Sequence, residues 1–258
     1  RPDIPGAELG IDSDGFFELG QRPERVTVVG SGYIGLELAG VLAGLGSTVT
    51  LVARSGQVLR GFDPLLVEAA TEGLAELGVT LHLNSQPTAL VRGADGRIDV
   101  QLGEGDTLVG QDAVIYAIGR EPMTDCIDPA IRRDDDGFIA VDEFQETSGR
   151  GVFAIGDLTG RMPLTPVAIA AGRRLADRIW GGMEGRRLSY DNIPTVVFSH
   201  PPLGTVGLTE PEARARYGDG YVKVYRASFV PMYHALTESR PRTHMKIVTT
   251  GADQRVVG

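Results

Sequence analysis

The chain has 258 residues, 42% of them apolar and 23% charged, and it carries a formal net charge of −9. This acidic balance argues against non-specific nucleic-acid binding, the lack of an apolar run of about 18 residues argues against a membrane span, and the length predicts two compact units. A single cysteine, Cys126, excludes an intrachain disulfide, a Cys-x-x-Cys redox pair and a cysteine-based zinc cluster, and favours a reduced, cytoplasmic compartment.

The first predicted element is an apolar strand at residues 26–29, which leads directly into the motif Gly30-x-Gly32-x-x-Gly35. A helix is expected next, because apolar residues recur at helical spacing up to the stop signal Gly46. In a strand–turn–helix unit the three glycines provide a tight turn, close approach of the backbone to a pyrophosphate, and close helix-to-strand packing. The helix N-terminus attracts the phosphates. This context favours dinucleotide binding over an ordinary glycine-rich turn.

The second predicted strand, residues 48–53, ends at the position that distinguishes the two nicotinamide cofactors. Arg54 lies close to the ~20-residue offset at which an NAD-binding acid would bind the ribose 2′-hydroxyl. Arg60 ends the same short loop. Because guanidinium groups match the geometry and charge of a phosphate, this pair predicts NADP(H). The alternative is two solvated loop arginines in an acidic protein.

The elements that follow continue the same pattern. Asp63 is predicted as the N-cap of a helix that ends near Gly78, residues 79–83 as a strand, and residues 88–102 as a hairpin that turns at residues 93–96. Residues 112–118 predict a buried strand leading to Gly119 and Arg120. That position lies at the carboxyl end of a sheet, where ligands of such folds bind. A structural role for Arg120 is the alternative.

The second half of the chain starts with residues 152–155, which predict a short apolar strand ending at Gly156 and Asp157. Residues 163–180 predict a helix. Asp157 has two interpretations. It could hold the turn in place or cap that helix, or it could accept a hydrogen bond from a flavin polyol hydroxyl. The four histidines lack ligand spacing, so we expect no metal site. They are His82, His200, His234 and His244.

Several longer segments form a recognisable set: "IDSDGFF", "GYIGLELAG", "FDP", "AIGREP", "IGDLTG", "LTPVAIAAGRRLADR", "NIPTVVFSHPPLGTVGLTE" and "SFVPMYHA". Together they resemble the flavin-dependent pyridine nucleotide–disulfide oxidoreductases, and within them the glutathione reductase branch, over nearly the whole chain. The resemblance implies an α/β fold with a Rossmann-like NADP-binding domain at 25–145. A connecting segment from the flavin domain at 1–24, a returning flavin-domain segment at 146–190 and a partial α+β dimer-interface domain at 191–258 complete the implied organisation.

The resemblance also implies roles for individual residues. It assigns the pyrophosphate turn to Gly30, Gly32 and Gly35, with Ile34 as a further cofactor-binding residue, and the 2′-phosphate to Arg54 and Arg60. The nicotinamide pocket is assigned to Tyr33 and Glu37, and further nucleotide contacts to Gly119 and Arg120. The flavin is assigned to Asp157, Leu164 and Thr165, and the glutathione disulfide site to Arg173, Met232 and Tyr233. Met232 and Tyr233 would be offered across a dimer interface. The alternatives are packing for Tyr33 and Met232, and a solvated helix position for Glu37.

The chain departs from the family pattern in two ways. NADPH-using members often carry alanine at the position of Gly35, so the glycine turn by itself favours NAD, whereas Arg54 and Arg60 favour NADP. We expect the arginines to prevail, because a charged phosphate discriminates more strongly than one methyl group. The family's first flavin-binding glycine motif, its Cys-x4-Cys and its His-Pro segment do not occur in these residues. We therefore expect a piece of a longer protein.

The implied enzyme is a homodimer that passes a hydride from NADPH to FAD, reduces a protein disulfide, and lets the resulting thiolate attack glutathione disulfide. We expect this chain alone to be inactive, because one cysteine cannot supply both an attacking and a resolving thiol. Two alternatives stay open. One is a reductase of a related thiol conjugate such as trypanothione, and the other is a non-catalytic NADP-binding and dimer-interface module.

Overall fold

The computed structural model describes residues 1–103, 105–238 and 240–258. The chain forms two compact units. The first consists of Arg1–Ile118 together with Pro194–Gly258, and the second consists of Gly119–Ile193. Within the described ranges, none of the helices is long and apolar enough to cross a membrane.

The first unit contains a parallel sheet flanked by helices. Its elements up to residue 118 are α1 (Ser13–Phe17), β1 (Arg25–Val29), α2 (Tyr33–Gly44), β2 (Thr48–Ala53), α3 (Pro64–Glu76), β3 (Thr80–Leu83), β4 (Pro87–Arg92), β5 (Ile98–Leu102), β6 (Thr107–Gln111) and β7 (Ala113–Tyr116). The strands β3, β2, β1 and β7 lie side by side in that order and are all parallel. This is the Rossmann-like α/β arrangement that the sequence predicts.

The strands β1, β2 and β7 are almost continuously buried, as expected for a parallel sheet covered on both faces. Val28 of β1 pairs with Leu51 of β2 on one side and with Ile115 of β7 on the other, and all three are fully buried. Asp63 caps α3 as predicted, because its carboxylate accepts the Leu65 N–H at 3.0 Å. The parallel register brings the carboxyl ends of β1, β2 and β7 to one edge of the sheet, where the glycine turn lies.

The predicted hairpin is confirmed as β4 and β5, which pair antiparallel from Pro87 opposite Leu102 to Arg92 opposite Ile98. A third strand, β6, completes a small antiparallel sheet in the order β4-β5-β6. The sequence did not predict β6. Its pattern is weak because Val109 is 65% exposed and Gly110 adopts a φ of +69°.

The second unit is built mainly from loops around one helix, α4 (Thr165–Ile179). The helix confirms the sequence prediction, but the predicted strand at residues 152–155 is wrong. Only an isolated bridge joins Glu146 to Phe153, and the chain then enters a short 3-10 helix, Gly156–Thr159. Phe144 and Phe153 each pack against the guanidinium of Arg178, at 5.2 and 5.3 Å from the ring centres. The aromatic side chain of this segment therefore packs on an arginine of α4 instead of joining a ladder.

Residues 194–258 return to the first unit with an α+β arrangement. Its elements are β8 (Thr195–Val197), β9 (Leu203–Thr205), α5 (Glu210–Tyr217), β10 (Val222–Phe229), β11 (Thr243–Thr250) and β12 (Arg255–Val256). β8 pairs with β9, and β10, β11 and β12 form an antiparallel sheet in that order. α5 covers this sheet through Ala213, which packs with Val222 and Val248. A capping box between Thr209 and Glu212 starts α5.

Candidate cofactor-binding site

The glycine turn between β1 and α2 has a distinct geometry at each of its three glycines. Gly30 has a φ of +120°, and a Cβ there would lie 2.2 Å from the Ala117 carbonyl oxygen. A Cβ on Gly35 would lie 2.1 Å from the Gly30 carbonyl oxygen. A Cβ on Gly32, by contrast, would meet no protein atom within 4 Å. Two glycines thus close the turn on itself, and the middle one leaves open space above the backbone.

That open space lies at the N-terminus of α2. Gly32 is the N-cap residue, and no side chain caps the helix. The first N–H groups and the positive end of the helix dipole are therefore available to an anion. Tyr33 and Ile34, the first two residues of α2, are partly buried and pack against the main core cluster. The packing interpretation of Tyr33 therefore has direct support, and its implied role as a gate stays a prediction.

The loop of residues 54–62, here called the arginine loop, is tied to the glycine turn. The N–H of Leu59 donates to the Ser31 carbonyl oxygen at 2.8 Å, and the hydroxyl oxygens of Ser31 and Ser55 lie 3.2 Å apart. Leu59 is fully buried and adopts a φ of +48°. Because a positive φ is rare for a residue with a branched side chain, burial and this hydrogen bond together define the path of the loop.

Both guanidinium groups of the arginine loop face solvent. Arg54 and Arg60 are exposed, and among the described residues neither makes a hydrogen bond or an ion pair with another side chain or carbonyl. In a chain with an excess of acidic residues, two arginines without protein partners are uncommitted positive charge. Two arginine side chains without protein partners and an uncapped helix N-terminus therefore lie on the arginine loop and the glycine turn, which are hydrogen-bonded to each other.

Arg54 also lines an open pocket of about 370 Å³ together with Asn84, Ser85, Gln86 and Gly103. The chain after β3 is held beside the arginine loop, because the Asn84 N–H donates to the Ser55 oxygen at 3.1 Å. Sequence reasoning did not single out these residues. The available signal was polar side chains directly after a predicted strand, at the carboxyl end of the sheet, where ligands of this fold bind.

Glu37 is neither fully solvated nor free. It is partly buried on α2, and its carboxylate accepts the N–H of Phe198 at 2.9 Å. This contact links α2 to the segment after β8, which lies 161 residues further along the chain. This hydrogen bond lies at an exposed position, so a solvated helix position stays the alternative for Glu37. The implied place beside a nicotinamide pocket stays a prediction.

Within the second unit, the structure pairs two predicted site residues. Arg120 Nη1 lies 3.3 Å from Asp157 Oδ2, and both side chains are about half exposed. Gly119 precedes this pair with a φ of +144°. The capping interpretation of Asp157 is wrong, because the N-cap of α4 is Leu164 and no side chain caps the helix. Thr165 begins that helix. Asp157 is thus a carboxylate with room to accept a further donor.

The three residues implied in substrate binding are exposed. Arg173 lies on α4 of the second unit, and among the described residues it has no hydrogen-bond or ion-pair partner. Met232 and Tyr233 belong to the first unit, where they form most of a short 3-10 helix, Met232–His234. Their side chains are 91% and 83% exposed. Such exposure is unusual for large apolar side chains and fits contact with a ligand or a second chain.

A group of charges that sequence reasoning missed lies at the end of the arginine loop. Lys246 Nζ contacts both carboxylate oxygens of Asp63, at 2.8 and 2.9 Å, and Glu210 Oε2 at 2.6 Å. The hydrogen bond from Lys246, assisted by Arg214 and Arg226 against the effect of burial, lowers the pKa of Glu210 to about 2. For Asp63, burial raises the pKa, but the Glu210 N–H and Lys246 outweigh it and the net shift is downward.

The fold and this site define the class of the protein. Residues 1–172 match the family described as Pyridine nucleotide-disulphide oxidoreductase, and residues 193–258 match the dimerisation domain of the same family. The chain therefore belongs to the pyridine nucleotide-disulphide oxidoreductases, whose members bind FAD and NAD(P)H. The uncapped helix N-terminus beside Gly32 suits the pyrophosphate of a nicotinamide dinucleotide.

Particular relatives narrow the comparison. A glutathione reductase from Yarrowia lipolytica (strain CLIB 122 / E 150) is 42% identical over 264 residues, which cover 100% of this chain and 56% of that protein. The HOCl-induced flavoprotein disulfide reductase RclA from Escherichia coli has a similar structure, with a TM-score of 0.87 and 28% identity over 100% of this chain and 59% of that one. The Cu(II) complex of the same protein gives a TM-score of 0.89 and 29% identity, over 100% of this chain and 58% of that one. The chain thus spans little more than half the length of these relatives.

Proposed function

We propose that this chain is part of an NADPH-dependent, FAD-containing glutathione-disulfide reductase. The observation that carries the proposal is the arginine loop, which hydrogen bonds to the glycine turn and presents Arg54 and Arg60 without protein partners. Similarity to a glutathione reductase over the whole chain supports the same conclusion. In such an enzyme the nicotinamide supplies a hydride, which passes through flavin and a protein dithiol to glutathione disulfide.

The preference for NADP(H) follows from charge. The 2′-phosphate of NADPH adds negative charge and acceptor oxygens, and a guanidinium meets these with a planar set of donors. The tight contact at Gly35 gives the turn the form expected with NAD, because a Cβ there would lie 2.1 Å from the Gly30 oxygen. We assign more weight to Arg54 and Arg60, since the turn contacts only the pyrophosphate, which both cofactors share.

The proposed domain boundaries follow the organisation of the family. We propose an NADP-binding domain at 25–145, preceded at 1–24 by a connecting segment from the flavin domain, and a returning flavin-domain segment at 146–190. In that segment Asp157 would accept a hydrogen bond from the flavin polyol, while Arg120 holds its other oxygen at 3.3 Å. Leu164 and Thr165 would place the uncapped start of α4 near the flavin.

The substrate-binding residues are proposed on exposure and charge. Glutathione disulfide carries carboxylates, which Arg173 could bind because it has no ion-pair partner among the described residues. Met232 and Tyr233 project from the region that matches the dimerisation domain, residues 193–258. In a homodimer they would reach the substrate of the other subunit. A dimer thus makes the site complete.

Two alternatives remain specific enough to test. A reductase of a trypanothione-type conjugate would use the same cofactor site and differ only in substrate, so kinetics of the full-length protein with both disulfides would separate them. A non-catalytic NADP-binding module would bind NADPH and dimerise without turnover even at full length. Intact-mass analysis of the source protein would show which further residues accompany this chain.

The cofactor assignment is tested by Arg54→Ala. Loss of one charge-assisted contact costs about 1.5–3 kcal/mol, which is roughly tenfold to a hundredfold in affinity. Titration calorimetry should show that loss for NADPH and almost none for NADH. Arg92→Ala, which changes an exposed arginine on β4, is the control and should leave both affinities unchanged. Equal losses for the two cofactors in Arg54→Ala would contradict the assignment.

A further inference from the structure

A buried ion pair joins the end of the arginine loop to the region of residues 193–258. Lys246 lies on β11, and its ammonium contacts Asp63 and Glu210 at 2.6–2.9 Å. The side chains of Lys246 and Asp63 are only 7% and 9% exposed. Breaking a buried pair by removing one partner is strongly unfavourable, because it leaves an uncompensated charge. The position of Asp63 therefore depends on Lys246.

Asp63 in turn determines where the arginine loop ends. Its carboxylate accepts the backbone N–H of Glu210 at 2.9 Å, so it is bound to the start of α5 as well as to its own helix. Between Arg60 and Asp63 the chain makes a tight turn, in which the Phe62 N–H donates to the Leu59 oxygen at 3.0 Å. Arg60 sits inside this turn. A displacement of Asp63 consequently moves Arg60.

We propose that Lys246 is a positioning residue for recognition of the 2′-phosphate. By holding Asp63 it keeps the end of the arginine loop, and with it the guanidinium of Arg60, in place. Without the ammonium, Glu210 would keep Arg214 and Arg226, but the buried carboxylate of Asp63 would lose the cation that pairs with it. This unpaired charge beside a second carboxylate would displace the loop end. The inference rests on the proposed NADP(H) site. It adds that discrimination between NADPH and NADH depends on a strand of the region that matches the dimerisation domain.

The experiment measures the dissociation constants of NADPH and NADH by calorimetry for Lys246→Met. We expect NADPH affinity to fall by up to the loss that Arg60→Ala causes, roughly tenfold, while NADH affinity stays nearly unchanged. In the Arg60→Ala background the Lys246→Met effect should disappear, because both changes act through one guanidinium. Lys223→Met is the matched control: it removes the same charge from an exposed position on β10 and should change neither constant.

A second variant tests whether the effect of Lys246→Met is only a result of unfolding. Asp63→Asn with Lys246→Met removes both charges of the pair together and leaves Glu210 its contacts with Arg214 and Arg226. It should restore much of the NADPH preference that Lys246→Met loses, because no unpaired buried carboxylate remains. The inference is overturned if Lys246→Met keeps the wild-type ratio of the two constants, lowers both affinities equally, or retains its effect in the Arg60→Ala background. If wild type itself binds both cofactors equally, the proposed function fails and this inference with it.

Discussion

Substitution of the two glycines at the start of α2 separates the structural from the ligand-binding function of the glycine turn. In Gly35→Ala the new Cβ would lie 2.1 Å from the Gly30 oxygen, so the turn must open by almost 1 Å to reach even 3.0 Å. Overpacking of this kind costs about 1–3 kcal/mol. At 2–4 °C per kcal/mol for a unit of this size, the melting temperature should fall by roughly 2–12 °C.

Gly32→Ala should have the opposite profile. A Cβ at this position meets no protein atom within 4 Å, and the residue's φ of −75° suits any amino acid. Without ligand, the melting temperature should therefore stay close to that of wild type. The methyl group would fill the space that the pyrophosphate needs, so affinity for NADPH should fall by roughly fivefold to a hundredfold. Differential scanning fluorimetry and calorimetry give the two readouts. NADPH binding by Gly32→Ala at wild-type strength would refute the site geometry.

Two further predictions concern acid stability and assembly. The pKa of Glu210 is lowered to about 2 in the folded state. The charged carboxylate therefore stabilises the folded state above the unfolded pKa near 4.5, and this stabilisation is lost as pH falls through 2. Thermal melts across this pH window should show a smaller fall in melting temperature for Glu210→Gln than for wild type. Tyr225 pairs with Ile247 across β10 and β11 with both side chains about half exposed, so light scattering should show a dimer for wild type and a smaller species for Ile247→Glu. Identical pH slopes, or a wild-type monomer at micromolar concentration, would count against these interpretations.

Local rules account for the parts of the fold that could be predicted. The strand at residues 48–53 has the predicted bounds because a segment of β-branched and apolar residues ends at an arginine. The N-cap at Asp63 follows from Asp-Pro preceding a helical pattern. The glycine turn was recognisable because its three glycines recur at a fixed spacing directly between a strand and a helix. Sequence periodicity reports such short-range preferences directly.

The parts that failed depend on contacts distant in sequence. The apolar segment at 152–155 read as a strand, but its Phe153 packs on Arg178 of α4 and only one bridge forms. The hydrogen bond from the Phe198 N–H to Glu37 was not predicted, because the two residues are 161 positions apart. The contact of Lys246 with Asp63, 183 residues away, is set by the pairing of β10 with β11 and by the placement of α5. No periodic pattern records such contacts.

The most direct test of the central claim, that the arginine loop and the glycine turn form an NADP(H) site, is a side-by-side calorimetric titration of the wild-type chain with NADPH and NADH at equal ionic strength. Two free guanidiniums beside an uncapped helix N-terminus predict tighter binding of NADPH by at least roughly tenfold, the value of one charge-assisted contact. The advantage should shrink as salt is added. Equal affinities, or tighter binding of NADH, would contradict the claim.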